Sequence, residues 1–412
     1  MRNAANSSSL QDARRGCIQS GLRTLRLIAM SVCLLPALHS VSGAEPGKTP
    51  GKIPIRLPMT ASHWTTEGGV EFGQHKGFDS IVLKPGNSAL KLKTGSAILK
   101  DLVFRNGTIE YDVDATSSMG AGIGFRRRDN DTFEWFYLRP RPNCEEAWDC
   151  MQYAPQTHGV LLWDLFPQYQ APAPLRQGEW NHIKLVVSGQ RMNIYVNGAQ
   201  SPTLRIGRLE GDAQEGGIVL EGPGIFANLT VTPDAVEGLS PEPDGDPTAT
   251  DPRYVRNWWL SPYSELAADK EVGFTDMPAA SAAWQALTAE RGGLMNLSRV
   301  YGLPLPRPQK AIAWLKTTIT SDKSQTKKVE IGWTREMWVF VNGKLVYADK
   351  NLYQPPAARK TPDGRASLEN GSFNLPLNAG ENEIAVALDT NFYGLSLIFR
   401  FDDLDGVHLA RK

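Results

Sequence analysis

The sequence is poor in the groups that most often carry catalysis and metal binding. Four cysteines and six histidines occur in 412 residues, and basic and acidic side chains balance at 44 each. There is no HExxH pair, no GxSxG nucleophile elbow and no cysteine–histidine spacing of the zinc-binding kind, so zincin, serine-hydrolase and zinc-finger chemistries have no footing. Pro46-Gly47-Lys48-Thr49 ends like a phosphate loop, but the upstream Gly43 stands one residue too close. Without a basic excess, the phosphate backbone of a nucleic acid has nothing to neutralise it. The one apolar run of note, residues 27–38, falls short of the ~20 residues a membrane-spanning helix needs.

That run has a different reading. Arg23 and Arg26 precede it and Ser42-Gly43-Ala44 follows it, which is the layout of a cleaved export signal over residues 1–44. The expected product is a soluble protein, periplasmic or extracellular, with no membrane span. Removing 1–44 leaves 39 basic and 43 acidic residues, a net charge of −4. Cys17 and Cys33 leave with the signal. Cys144 and Cys150, in NCEEAWDC, remain and are expected to form a disulfide in an oxidising compartment.

What the sequence has in quantity is short alternating runs and turn residues, with 38 glycines and 28 prolines. In WNHIKLVVSGQRMNIYVNG, residues 180–198, Ile183, Leu185 and Val187 alternate with Lys184, Val186 and Ser188, and Met192, Ile194 and Val196 with Asn193 and Tyr195. Asn197-Gly198 closes the run, and both residues tolerate positive φ. MWVFVNG at 337–343 repeats the idea. Further strands are expected at 80–83, 107–114, 120–128, 132–139, 151–153, 159–163, 204–206, 217–220 and 225–232. A second series is expected at 294–300, 311–320, 328–332, 337–341, 344–347, 371–376, 383–388 and 395–401. The class is all-β: two β-sandwich (jelly-roll) domains in tandem, over 45–234 and 253–412. The acidic, proline-rich stretch 235–252 reads as a flexible linker. Residues 279–291, rich in alanine, are the one stretch with helical character, with Asp276 as the candidate cap.

On these residues the first half, 78–232, resembles laminin G-like and concanavalin A-like sandwiches. GAGIGFRRRDNDTFEWFYLRPR at 120–141 is similar to the matching strands of laminin G-like and keto-disaccharide-hydrolase-like exported bacterial proteins. FNLPLNAGENEIAVALDTNFYGLSLIFRF at 373–401 resembles galactose-binding-like jelly rolls. The first resemblance implies a fold shared by lectins, glycan hydrolases, lyases and adhesion modules, and does not choose among them.

Two constellations carry candidate chemistry. In the 120–141 hairpin, Gly122, Gly124, Arg126 and Arg128 share one strand face, and Phe133, Trp135, Tyr137 and Arg139 share another. If the faces coincide, glycines open space under aromatic rings beside guanidinium groups, a floor on which a sugar ring stacks and finds donors. The alternative is that the rings are core and the arginines surface. Gln152 and Tyr153, with His158 and Trp163, follow the cysteine loop and are expected to rim the same face. The ligand-binding set is thus Arg126, Trp135, Tyr137, Arg139, Gln152 and Tyr153. The second constellation is Glu110, Asp112 and Asp114 on one face of a strand. Concanavalin-like retaining glucanases carry two glutamates and an aspartate at this kind of spacing, but here Ala115 and Thr116 stand where the last glutamate is needed.

No cofactor or metal is expected. The one candidate for calcium is Asp129-Asn130-Asp131, which also reads as ordinary turn residues. In the second domain, Trp333, Arg335, Tyr353 and Asn391-Phe392-Tyr393 are weaker candidates. The leading expectation is an exported protein that binds a carbohydrate through its first sandwich without turning it over. The alternatives are a glycoside hydrolase or lyase using Glu110 and Asp112, and a structural or protein-interaction module.

Overall fold

Period-two alternation becomes sheet faces. Ile109, Tyr111 and Val113 are buried while Glu110 and Asp112 on the same strand remain half-buried, so Gly107–Asp114 covers a core with one face only. The computed structural model describes residues 52–88, 93–118, 120–302, 310–390 and 394–409. Within them every strand pairing is antiparallel, and two sandwiches follow one another along the chain.

The first sandwich has two eight-stranded sheets. One runs Leu204–Ile206, Arg191–Val196, Asn181–Ser188, Gly107–Asp114, Gly224–Pro233, Phe78–Leu83, Val70–His75, with Ile55–Arg56 added on Gly224–Pro233. The other runs Val160–Leu161, Met151–Thr157, Thr132–Leu138, Ala121–Asp129, Gly217–Glu221, Ser96–Leu99, Trp64–Glu67, with Gln170–Ala171 on Met151–Thr157. Ile183, Leu185, Met192 and Ile194 of the first sheet meet Ile123, Phe125, Phe136 and Met151 of the second in one core.

The second sandwich pairs an eight-stranded sheet, centred on Lys310–Ser321, Gly380–Thr390 and Arg335–Val341, with a four-stranded sheet of Leu294–Asn296, Ser396–Phe401, Gln325–Trp333 and Gly371–Leu377. Val339, Val386 and Leu388 pack on Ile331, Trp333 and Phe399 between them. The outer face of the larger sheet is also apolar. Ile312, Trp314, Trp338 and Phe340 are covered there by Val272, Phe274, Met277 and Trp284.

That cover corrects the expected helix at 279–291. Gln285–Thr288 is instead a strand paired with Asn257–Leu260, and Asp276 accepts the Gly273 N–H at a single 3₁₀ turn. Sheet pairing and burial of Trp284 outweigh alanine's local preference. The α-helix of the described residues is one turn, Ser298–Tyr301.

The two Asn-Gly turns also differ. Asn342 (φ 48°) and Gly343 (φ 81°) form a two-residue hairpin turn between Arg335–Val341 and Lys344–Asn351. Asn197 and Gly198, with the same signs of φ, begin a longer connection to Leu204–Ile206. The hairpin of Asn181–Ser188 and Arg191–Val196 turns at Gly189-Gln190.

The acidic, proline-rich stretch is bonded on both sides. Pro241 O accepts the Gln190 N–H, Asp244 pairs with Arg191, and Asp246 takes the Gly292 N–H and an Arg256 contact. Leu294 of the second half belongs to the first core, and Ile398 packs against it.

Gly222 tests the close approach of neighbouring turns. Its φ is +84°, and a Cβ there would lie 1.8 Å from Gly120 O. Gly222→Ala is expected to cost about 2 kcal/mol or more, read as a lower midpoint in urea unfolding.

Candidate functional site

Register builds the site. Gly122 faces Tyr137, which faces Gln152, and Gly124 faces Trp135, which faces Ala154. Directly opposed residues share a face, so these side chains stand together on the outer side of one sheet. Trp135 and Tyr137 stack with centroids 4.3 Å apart at 26°. Their rings lie across the glycine strand: a Cβ on Gly120 would be 3.1 Å from Tyr137 Cδ2 and 3.6 Å from Trp135 Cη2, and one on Gly122 would be 2.6 Å from Tyr137 Cβ. The glycines therefore hold space for the rings themselves.

A hydrogen-bond chain fixes the aromatic pair. Arg139 Nη2 donates to the Tyr137 hydroxyl at 2.7 Å, that hydroxyl donates to Gln152 Oε1 at 2.6 Å, and Gln152 Nε2 donates to Trp163 O at 2.7 Å. The Arg139 guanidinium lies 4.7 Å from the Tyr137 ring centre. Tyr137 and Gln152 are buried, while Trp135 and Arg139 are half-buried and form the reachable part. The Trp135 Nε1 donor is buried without a hydrogen-bond partner among the described residues. A donor so placed is uncommon in a folded protein.

The cluster continues into the second sandwich. Tyr353 meets Trp163 edge-on at 5.0 Å, and the Arg365 guanidinium lies between Trp148 and Trp163, 4.8 and 4.9 Å from their ring centres. Trp148 Nε1 donates to Asp363 Oδ2 at 3.0 Å. Asp164 accepts the Gly394 N–H on its carboxylate and the Ala366 N–H on its carbonyl. Burial pushes the Asp164 carboxyl up to about 7 against the pull of its own and the Gly394 amides and of Arg365 and Arg335. Cys144 and Cys150 form the expected disulfide, with Cα atoms 5.4 Å apart, at the base of the loop that carries Trp148.

Glu221, which sequence reasoning missed, stands on the same face. It faces Gly122, which faces Tyr137, so the carboxylate and the aromatic wall are two strand spacings, about 10 Å, apart. Burial pushes its carboxyl up to about 7, partly offset by Arg127 and reinforced by Glu67. The available signal was its place one residue past the expected strand 217–220, in phase with Val219. Nothing local separates it from other strand-end acids.

Two of the expected binding residues lie elsewhere. Arg126 is 1% exposed, at φ +52° where the pairing of its strand shifts register. Its guanidinium donates to Arg105 O, Asn106 Oδ1 and Gly189 O and pins loops beneath the sheet. The bulge breaks the alternation that placed it beside the glycines. Tyr153 is one residue out of phase with Gln152 and points into the core, where its hydroxyl donates to Glu134 Oε2 and accepts the Glu210 N–H. Burial raises Glu134 to about 7, outweighing the Tyr153 hydrogen bond and Arg126. His158 is a contact to the second sandwich, with Nδ1 2.9 Å from Arg299 O.

Glu110 and Asp112 occupy the outer face of the other sheet. His182 lies between them, Nδ1 2.8 Å from Asp112 Oδ1 and Nε2 3.3 Å from Glu110 Oε2. Asn228 donates to Asp112 at 2.7 Å, and Asp114 is held by Lys76 and His75. Burial raises Asp112, but bonds from His182 and Asn228 outweigh it and leave the carboxyl below its usual range. Both acids are therefore committed to an ion-pair network. Asp129 Oδ1 accepts the Asp131 N–H at 2.9 Å, as a turn aspartate does, and no group of three or more metal-ligating side chains occurs among the described residues. Trp333 is buried in the second core, and Asn391, Phe392 and Tyr393 lie outside the described residues. No helix of the described residues is long and apolar enough to cross a membrane.

Residues 59–232 match the family described as 3-keto-alpha-glucoside-1,2-lyase-like domain. No curated protein matches the chain. Among solved structures, a carbohydrate-binding module, CBM66, from Bacillus subtilis is 15% identical, covering 40% of this chain and 93% of its own, at a TM-score of 0.30. A Bacillus subtilis protein of unknown function with a galectin-like fold is 14% identical over 43% of this chain and 94% of its own, at 0.32. A Bacillus licheniformis beta-glucanase is 10% identical over 44% and 98%, at 0.31.

His182 supplies a pH test. The Asp112 hydrogen bond raises its pKa against the opposing effect of burial, and Glu110 adds to the rise. A folded-state pKa above the unfolded value gives stability that is complete below about 6.5 and is lost as pH rises through the folded value. Wild-type protein is expected to lose urea resistance across that window relative to His182→Gln. Parallel pH profiles for the two proteins would refute this role.

Proposed function

We propose that the chain is an exported protein that binds a glycan on the Trp135–Tyr137 face of its first sandwich without converting it. The observation that carries this reading is Trp135: a half-buried ring, stacked on Tyr137 and braced from below, with an indole N–H that has no partner among the described residues. Such a ring offers an apolar plane to a sugar face, and the nearby Arg139 offers donors to hydroxyls. On this reading the first sandwich is laminin G/concanavalin-like and the second galactose-binding-like, with domains over 45–234 and 253–412, a connecting segment over 235–252 and an export signal over 1–44.

A lyase or hydrolase is the second reading, and one observation favours it. Glu221, on the same face, has a carboxyl raised to about 7, and a group poised near the working pH exchanges protons efficiently. The match of residues 59–232 to a lyase-like family points the same way. This moves the catalytic candidate from Glu110 and Asp112 to Glu221.

The test is incubation with a panel of oligosaccharides, followed by mass spectrometry of bound and free sugar. Retention at unchanged mass is expected, with Trp135→Ala weakening it about tenfold or more. Shortened or converted sugar would replace the binding reading with catalysis. In that case Glu221→Gln abolishes turnover while Glu110→Gln and Asp112→Asn do not.

A further inference from the structure

We propose that the second sandwich carries a saccharide site of its own, in a cavity on the outer face of its larger sheet. The cavity is about 610 Å³ and lies where the 268–271 segment stands over the ends of three neighbouring strands, Lys310–Ser321, Gly380–Thr390 and Arg335–Val341. That volume is within the range of small-molecule sites.

The chemistry of the walls selects the ligand. Asp389 lines the cavity and is 3% exposed; its carboxyl accepts the Ala311 N–H, and among the described residues its Oδ1 has no hydrogen-bond partner. A buried acceptor left unused is costly unless something supplies a donor. Lys310 is 8% exposed; its Nζ donates to Lys270 O, stands 3.9 Å from Glu336 and lies 5.0 Å from the Trp338 ring centre. Glu336 also accepts Lys350 Nζ at 3.0 Å. Arg335 completes the basic side of the wall.

A cation brought to Asp389 would meet Lys310 and Arg335. An anion brought to those cations would meet Asp389 and Glu336, with further carboxylates at Asp269 and Asp349. Neither net charge is favoured, while the wall carries both donors and acceptors. A hydroxyl is at once donor and acceptor, so a neutral polyhydroxylated ring uses both kinds of group where a simple ion uses one. Ala348 and Trp338 give apolar contact for ring carbons. Burial pushes the Asp389 carboxyl up to about 6, offset by Arg335, raised by Glu336 and lowered again by Lys310, so both its protonated and its charged forms are within reach near neutrality.

This site is independent of the first-sandwich face, and its test is run in the full chain carrying Trp135→Ala. Maltotriose, cellotriose and xylotriose are the neutral probes, with glucuronic acid and glucosamine as charged comparators. Hydrogen exchange is followed at residues 310–316, 335–341 and 384–390. At least one neutral probe is expected to slow exchange there, and Asp389→Asn is expected to weaken that binding about tenfold or more. If Asp389→Asn fails to fold, Glu336→Gln and Lys350→Ala replace it, each expected to weaken the same protection several-fold. Absence of protection by every neutral probe, protection by the charged comparators alone, or protection untouched by all three variants overturns the proposal. The proposed role of Trp135 is judged separately, by whether Trp135→Ala alone changes total sugar retention.

Discussion

Gly120 and Gly122 leave bare backbone at the start of one strand, which Tyr137 and Trp135 from the next strand fill, while Val219 and Phe133 take the space over Gly124. Side-chain atoms at Gly120 and Gly122 would displace Tyr137 and Trp135. With the rings lying down, the Tyr137 hydroxyl comes within reach of Arg139 and Gln152, and Gln152 within reach of Trp163. The outer face of the sheet thus becomes a rigid aromatic plate, where ordinary alternation would have given a polar, solvated surface.

The second sandwich extends that plate. Arg365 enters between Trp148 and Trp163, and Asp164 is held by backbone amides of Ala366 and Gly394. At a separate contact, Arg299 reaches Asp212 and the Glu210 carbonyl of the first sandwich as well as Glu290 of its own. A buried guanidinium and a buried carboxyl are expensive to leave unmatched, so separating the two halves would carry a desolvation cost. The disulfide loop between Cys144 and Cys150 presents Trp148 to this contact and is stapled where the two halves meet.

Carboxyls with raised pKa recur in different settings. Glu134 lies inside the first core, Asp164 between the sandwiches, Glu221 on the aromatic face and Asp389 in the second sandwich's cavity. Burial is the leading cause in each, so the shift alone does not mark function; the surroundings do. Glu134 bonds Tyr153 and Asp164 bonds Gly394, which suits structural roles. Glu221 and Asp389 instead stand where a ligand can be argued to meet them.

The sequence by itself determined most of the strands and their buried faces, because period-two alternation is local, although the run expected as a strand over 294–300 is a strand only over Leu294–Asn296 and then turns into the Ser298–Tyr301 helix. Gly107–Asp114 and Leu204–Ile206 fall where their patterns put them, and Ile109, Tyr111 and Val113 turn inward as alternation requires. The shared face of Trp135 and Tyr137 was legible for the same reason, and the disulfide was legible because Cys144 and Cys150 are the two cysteines left outside the expected export signal. Alternation failed at Arg126, where a bulge with positive φ inserts residues the pattern does not count, and alanine propensity failed at 279–291, where a neighbouring strand supplied pairing partners. Tertiary structure alone decided which acids meet which partners: Asp112 with His182, Glu221 across a glycine from Tyr137, Asp389 beside Lys310. Those neighbours come from strands distant in sequence, and desolvation and pairing depend on what the whole fold brings around a group, not on the residues beside it in the chain.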